Sequence, residues 1–288
     1  MRNEKTGKSR KVLTKIDISP VTFGNGGVKL MGKVLFPDAG YLVPGVILCH
    51  GLGASSRAVE SSARIMAGRG VAVLVFDFRG HGDSDGVFDE NMVEDVVDAW
   101  HFLSEYPGVD ASRIGLVGHS MGAMAAILAS RQINPHALVA LSCPPEINGK
   151  LKKVADSFFK NLVGKVIGIK EHPRDGAFPW LSGPFAMLSR FMMQLSGYRL
   201  RIDWQAFFTV VKRAEMSSAL RELKDCPTLF VHCRGDNLTP YQSAMELYGE
   251  IRQPKEVLLV KGGFHTAPLL PGKLRRGWTQ WAVATLMV

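Results

Sequence analysis

The stretch Gly118-His119-Ser120-Met121-Gly122 sets a serine between two glycines, at the point where strand-forming residues give way to helix-forming ones. A nucleophile on so sharp a strand-to-helix turn needs small residues at both glycine positions, because a Cβ there would collide with adjoining backbone. The turn lifts the Ser120 hydroxyl out of the sheet, and the helix N-terminus favours a developing negative charge. A serine hydroxyl is a poor nucleophile without a base. Of the eight histidines, His265 in Gly262-Gly263-Phe264-His265 is the one that follows every credible acid in the chain order serine, acid, histidine. His119 shares the tight turn and is expected to point elsewhere. His101 and His136 adjoin helices, and His172 belongs to a separate helical segment. The acid is expected at Asp236, just past the apolar run Thr228–His232. A buried carboxylate there would hold the histidine in the correct tautomer and stabilise its protonated form. Asp225 lies at the wrong end of that run, and Glu246 and Glu250 fall within the following helix.

Acyl transfer also needs donors for the oxyanion. One is expected from the backbone N–H of Met121, the other from the N–H of Leu52 in His50-Gly51-Leu52-Gly53. Glycines at 51 and 53 allow positive φ and an inward-turned amide. His50 and Gly51 shape this turn, and His50 is not the base. Losing one such donor costs about 3–4 kcal/mol in the transition state.

The elements that must position these groups alternate along the chain. Val28–Phe36 is a strand candidate, followed by the short apolar runs Gly45–His50, Val71–Phe76, Arg113–Val117 and His136–Leu141, each as expected of a strand buried on both faces. Helical patterns cover Arg57–Ala67, Glu90–Glu105 and Met121–Arg131. The alternation stops from about Pro145 to Asp225, a helical stretch broken at Pro173, Pro179 and Pro184. It resumes with strand Thr228–His232, helix Tyr241–Ile251, strand Val257–Val260 and a final helix around Leu274–Ala284. Such alternation predicts an α/β fold, a mostly parallel sheet with helices on both faces. The predicted organisation is a basic tail over residues 1–15, a catalytic domain from 16–144 and 226–288, and an inserted helical cap over 145–225. In parallel sheets ligands bind beyond the carboxyl ends of the strands, which is where the candidate residues fall.

At 288 residues the chain can bury one large core with a small accessory subdomain. The net charge of +9 resides in the tail, the Glu146–Asp225 segment and the C-terminal stretch. No nucleic-acid module accompanies it, so a nucleic-acid partner is not expected. No apolar signal region or bilayer-length run is present. The four cysteines, Cys49, Cys143, Cys226 and Cys233, follow no zinc or redox spacing and read as buried small hydrophobes. A cytoplasmic location is expected.

Taken together, His50-Gly51, Asp77-x-Arg79-Gly80-His81-Gly82-x-Ser84, Gly118–Gly122, Gly235-Asp236-x-x-Thr239-Pro240 and His265 resemble the α/β-hydrolase superfamily. The branch most similar holds the bacterial carboxylesterases and the monoacylglycerol-lipase or serine-aminopeptidase-like proteins. The resemblance runs from about Val21 to the C-terminus, outside the cap. It implies a Ser120–Asp236–His265 triad, an oxyanion hole at Leu52 and Met121, and no metal or organic cofactor. The Asp77–Ser84 loop reads as structural, its glycines making the bend and Asp77 or Arg79 anchoring backbone. There is no His-Gly-Gly-Gly stretch, which disfavours the hormone-sensitive-lipase branch. The flanks of Ser120 also depart from the Gly-x-Ser-Trp-Gly of proline iminopeptidases.

The cap carries the most regular helical stripe in the chain. Leu151, Val154, Phe158, Leu162 and Val166 recur at helical spacing, opposite lysines. Further apolar groups follow, including Met192, Met193, Trp204, Phe207 and Phe208. Such stripes pack on each other and on the catalytic domain, and also suit an acyl pocket lined by adaptable methionines. A basic amphipathic helix further suits peripheral contact with an anionic membrane. The expected reaction is hydrolysis of a carboxylic ester with an apolar acyl or alcohol part. A peptidase or amidase, a thioesterase or an acyltransferase would use the same residues, and a catalytically silent receptor would lack one of them.

Overall fold

The computed structural model describes residues 15–146, 199–252 and 254–288. The Leu151–Ile167 stripe, the methionines at 192 and 193, His172 and nearly all of the basic tail lie outside them.

The described residues build the expected fold, an eight-stranded sheet in the order β1-β2-β4-β3-β5-β6-β7-β8. Its strands are β1 (Ile16–Phe23), β2 (Leu30–Pro37), β3 (Val43–Cys49), β4 (Ala72–Phe76), β5 (Val109–His119), β6 (Ala137–Leu141), β7 (Thr228–Cys233) and β8 (Lys255–Val260). The first two strands and the β2–β4 pair are antiparallel, and every pair from β4 to β8 is parallel. The edge strand β1 has no counterpart in the sequence reading. It carries Pro20 and alternates half-buried with exposed residues, a pattern that fits an edge strand but also a polar linker.

The central strands are buried throughout, and their side chains divide by parity between two cores. In β3, Ile47 and Cys49 face one core, which is covered by α2 (Met92–Ser104), α3 (Met121–Ala129), α5 (Met216–Glu222) and α6 (Tyr241–Glu250). Val46 and Leu48 face the other, covered by α1 (Arg57–Ala67) and α7 (Lys273–Leu286), with Trp278 fully buried there. The four cysteines are free and buried, as small hydrophobes should be.

Register decides where the strands finish. Cys49 pairs with Gly118, His119 with Leu141, Leu141 with Val231, and Cys233 with Val260. The carboxyl ends of five parallel strands therefore share one edge of the sheet.

Both flanks of residues 147–198 are moored to this body. On one side the Glu146 carboxylate accepts the Ser217 N–H at 3.1 Å and its hydroxyl at closer range. On the other, Arg201 N–H donates to Gly80 O at 2.7 Å, Phe88 N–H to Arg201 O at 2.8 Å and Asp203 N–H to Phe88 O at 3.0 Å. Beyond this seam α4 (Trp204–Arg213) begins, with Asp203 capping it and Phe207 buried 5.8 Å from the Phe88 ring. Among the described residues no helix is long and apolar enough to cross a membrane.

Candidate active site

Ser120 closes β5 and caps α3 with φ 56° and ψ −120°. A non-glycine residue held there stores about 1–3 kcal/mol of strain, which persists only where the surroundings over-determine it. Here the Ser120 N–H donates to Leu141 O at 2.9 Å, and its carbonyl accepts the N–H groups of Ala123 and Met124. The two flanking glycines are demanded by space. A Cβ on Gly118 would overlap the Gly122 carbonyl, and one on Gly122 would lie 2.5 Å from the carbonyl oxygens of Cys49 and His50. The Ser120 turn is therefore pressed against the end of β3, and the first N–H groups of α3, without intrahelical acceptors, open beside it.

Asp236 and His265 are brought together by a second close approach. A Cβ on Gly235 would lie 2.5 Å from Gly263 O, and Gly263 itself takes φ +93° over Cys233. Asp236 Oδ2 is 2.9 Å from His265 Nδ1, with the carboxylate fully buried and the imidazole 13% exposed. Its Oδ1 accepts the N–H groups of Leu238 and Thr239, both at 2.9 Å, and Oδ2 accepts the Thr239 hydroxyl at 2.7 Å. Burial alone pushes this carboxyl up, but the His265 hydrogen bond and charge and the Thr239 donors outweigh it and bring it down to about 2. An anionic Asp236 accepts a hydrogen bond from Nδ1–H of the His265 ring, which leaves Nε2 as the acceptor.

His265 is tied to both sides of the serine turn. Its carbonyl accepts the Ser142 hydroxyl at 2.8 Å and lies 3.0 Å from His119 Nε2. His119, next to Ser120, was expected to point away; instead its ring packs 4.9 Å from that of His265. Burial, then the neighbouring imidazole, brings His119 down to about 3, so it stays neutral where it packs against His265. His232 lies behind the acid, its Nε2 donating to Thr239 O at 2.8 Å and standing 3.5 Å from Asp236 Oδ2. Thr239, Ser142, His119 and His232 were given no role from the sequence. The one legible signal was the Asp-x-x-Thr spacing, which lets the aspartate accept from the backbone of its own turn and brings the threonine hydroxyl onto the same carboxylate.

The 50–53 turn lies against the nucleophile, but its glycines act differently from expectation. Gly53 has φ +71°. Gly51 is not among the positive-φ residues; what it supplies is clearance, since a Cβ there would stand 3.0 Å from His119 Nδ1 and 3.3 Å from Ser120 Cβ. Leu52, between them, is partly buried against the α2/α3-side core, and Met121 is buried at the start of α3. The neighbouring Asp77–Ser84 loop anchors backbone as foreseen. Asp77 accepts the N–H groups of Ser56 at 2.7 Å and Asp83 at 3.0 Å, and Arg79 pairs with buried Asp95 at 2.7 Å.

Comparison with known proteins agrees with this fold. The family described as serine aminopeptidase, S33, matches residues 44–268. A thiohydrolase of Aspergillus aculeatus is 34% identical over 124 residues, 41% of this chain and 38% of that protein. The aligned part thus spans well under half the length of that curated relative, and it spans 42% of each of two uncharacterised Mycobacterium tuberculosis proteins. A polyketide transferase of Stachybotrys chlorohalonatus is 26% identical across 88% of this chain and 91% of its own. Among solved structures, Est1E from Butyrivibrio proteoclasticus with ferulic acid bound superposes with a TM-score of 0.66 at 19% identity, covering 93% of this chain and 98% of that one.

Proposed function

The chain belongs to the serine aminopeptidase S33 family of α/β hydrolases, and from that premise we propose that it cleaves carboxylic esters with an apolar acyl or alcohol part through an acyl-enzyme on Ser120. Ser120 Oγ attacks the ester carbonyl while His265 Nε2 takes its proton. Asp236 holds the imidazole and stabilises the imidazolium. The N–H groups of Met121 and Leu52 receive the oxyanion, and His265 returns the proton to the departing alcohol. Water then repeats the sequence and releases the acid.

The observation that carries this reading is the Asp236–His265 pair, whose histidine carbonyl is bound by Ser142 and His119 around a strained serine at a helix N-terminus. The preference for an apolar substrate rests on the composition of residues 145–225, taken as a cap over the site, and on Phe207, which carries that segment's apolar character onto Phe88.

A second reading is thioester cleavage or acyl transfer, favoured by the thiohydrolase and polyketide transferase relatives. All of these reactions share one acyl-enzyme, so the test begins there. A fluorophosphonate is expected to label the protein, and Ser120→Ala to abolish labelling without unfolding it; persistent labelling refutes the assignment. Aryl esters with acyl chains from two to sixteen carbons, matched thioesters and aminoacyl amides then rank the substrates. Cleavage of short chains alone removes the apolar-pocket reading. Turnover of thioesters or amides but not esters replaces the ester proposal.

A further inference from the structure

Two histidines outside the triad, His50 and His81, are fully buried with ring centroids 5.1 Å apart. Their four ring nitrogens all meet backbone. His50 Nδ1 lies 2.8 Å from Gly51 O, and its Nε2 accepts the Phe78 N–H at 3.1 Å. His81 Nδ1 lies 3.1 Å from Arg79 O, and its Nε2 accepts the Gly53 N–H at 3.1 Å. A carbonyl oxygen can only accept and an amide N–H can only donate. Each imidazole is therefore neutral with its proton on Nδ1. Burial, reinforced for His81 by the neighbouring imidazole, keeps both below the ordinary histidine range.

The consequence follows from peptide planarity. In a trans peptide the carbonyl oxygen and the following N–H point in opposite directions within one rigid plane. The Gly51 oxygen is held by His50 Nδ1–H and by the Ala54 N–H at 3.0 Å, which fixes the direction of the Leu52 N–H. The next plane, from the Leu52 carbonyl to the Gly53 N–H, is held by His81. Both planes flanking the Leu52 Cα thus end on a histidine. His81 is itself wedged edge-on against Phe88 at 4.9 Å.

We propose that His81 is a positioning residue for the oxyanion loop, acting with His50 to aim the Leu52 N–H at the Ser120 turn before substrate arrives. This rests on the acyl-enzyme reading above. A preformed donor requires no reorganisation during reaction, whereas a loop free to turn its peptide would lose most of that donor's effect.

The test compares His81→Phe, which keeps a ring but removes the acceptor, with His81→Gln, which can place an oxygen near the position of Nε2. With an aryl ester, His81→Phe is expected to lose about 10- to 100-fold in kcat with KM within about twofold, and His81→Gln to recover most of it. In the wild-type protein, nitrogen NMR should show His81 unprotonated at Nε2 and coupled across the hydrogen bond to the Gly53 amide. That measurement decides the clamp even if His81→Phe fails to fold. Full kcat in His81→Phe, no recovery in a folded His81→Gln, or a protonated Nε2 in the wild type overturns the proposal. If the wild type is not labelled at Ser120, the functional reading fails instead; if it is labelled and His81→Phe reacts equally fast, the clamp alone fails.

Discussion

Replacing Thr239 by valine removes one donor from the candidate acid and leaves shape nearly unchanged. The Thr239 hydroxyl donates to Asp236 Oδ2 at 2.7 Å, on a carboxylate with no solvent exposure. A hydrogen bond to a charged group contributes about 1.5–3 kcal/mol. The lower end applies here, because the N–H groups of Leu238 and Thr239 and the His265 ring still serve the same carboxylate. At about 1.4 kcal/mol per pKa unit, a loss of about 1.6 kcal/mol raises Asp236 by roughly one unit, from about 2 to just above 3. Because its folded pKa is depressed, the stability this group contributes is present above its ordinary pKa near 4 and is lost as pH falls through about 2. The gap between wild type and Thr239→Val should therefore be about 1.6 kcal/mol at pH 7, about 1 at pH 3 and under about 0.5 at pH 2. Urea unfolding midpoints across that range provide the measurement. Exchanging hydroxyl for methyl adds a constant that shifts the whole curve without altering its slope. Parallel curves from pH 7 to pH 2 would refute the idea that the hydroxyl speaks to the Asp236 charge.

Gly122→Ala should lower the fluorophosphonate labelling rate at least about 100-fold, because the added Cβ must push the Cys49–His50 backbone away from the nucleophile turn; a labelling rate like that of wild type would refute the clearance argument. Arg79→Met should destabilise the fold by about 3–5 kcal/mol by leaving the buried Asp95 carboxylate unpaired. Burial already pushes Asp95 up to about 6 in the presence of Arg79. Without its partner the carboxyl rises further, so the folded state binds a proton that the unfolded state releases, and the deficit should be larger at pH 8 than at pH 5 in calorimetric melts.

The parallel sheet was legible because its strands are buried on both faces and read as unbroken apolar runs, such as Val46-Ile47-Leu48. The same logic missed β1, whose half-exposed alternation and Pro20 suit a sheet edge and a polar linker equally. It also started β5 late, at Arg113, since Val109 and Asp110 join β3 only across an irregularity at Pro44/Gly45. For the site, Ser120, Asp236 and His265 stood out because each sits at a strand end with a chemically distinctive side chain. Their supports did not, because those contacts join positions far apart in the chain, as Ser142 does with His265. Small polar residues at such positions look ordinary until register aligns them. Gly51 shows the complementary error. A glycine proposed for its backbone freedom is instead hemmed in by the His119 and Ser120 side chains, which leave little room for a Cβ.

The mooring of residues 147–198 at both flanks has a practical meaning for protein engineering. Glu146 is fastened to Ser217 through its carboxylate, and residues 199–203 are laced to the 80–88 loop by three backbone hydrogen bonds and by the Arg201 guanidinium on Ser84 O at 2.8 Å. Backbone ties are indifferent to side-chain identity, so the second junction behaves as a fixed socket provided Arg201 is kept, and the first does so provided Glu146 and Ser217 are kept. A segment taken from a relative and joined between positions 146 and 199 would enter a frame whose serine, acid and histidine are already set. On the proposed reading of that segment as a cap over the site, selectivity is then exchanged like a tool bit, with the reaction left to the holder.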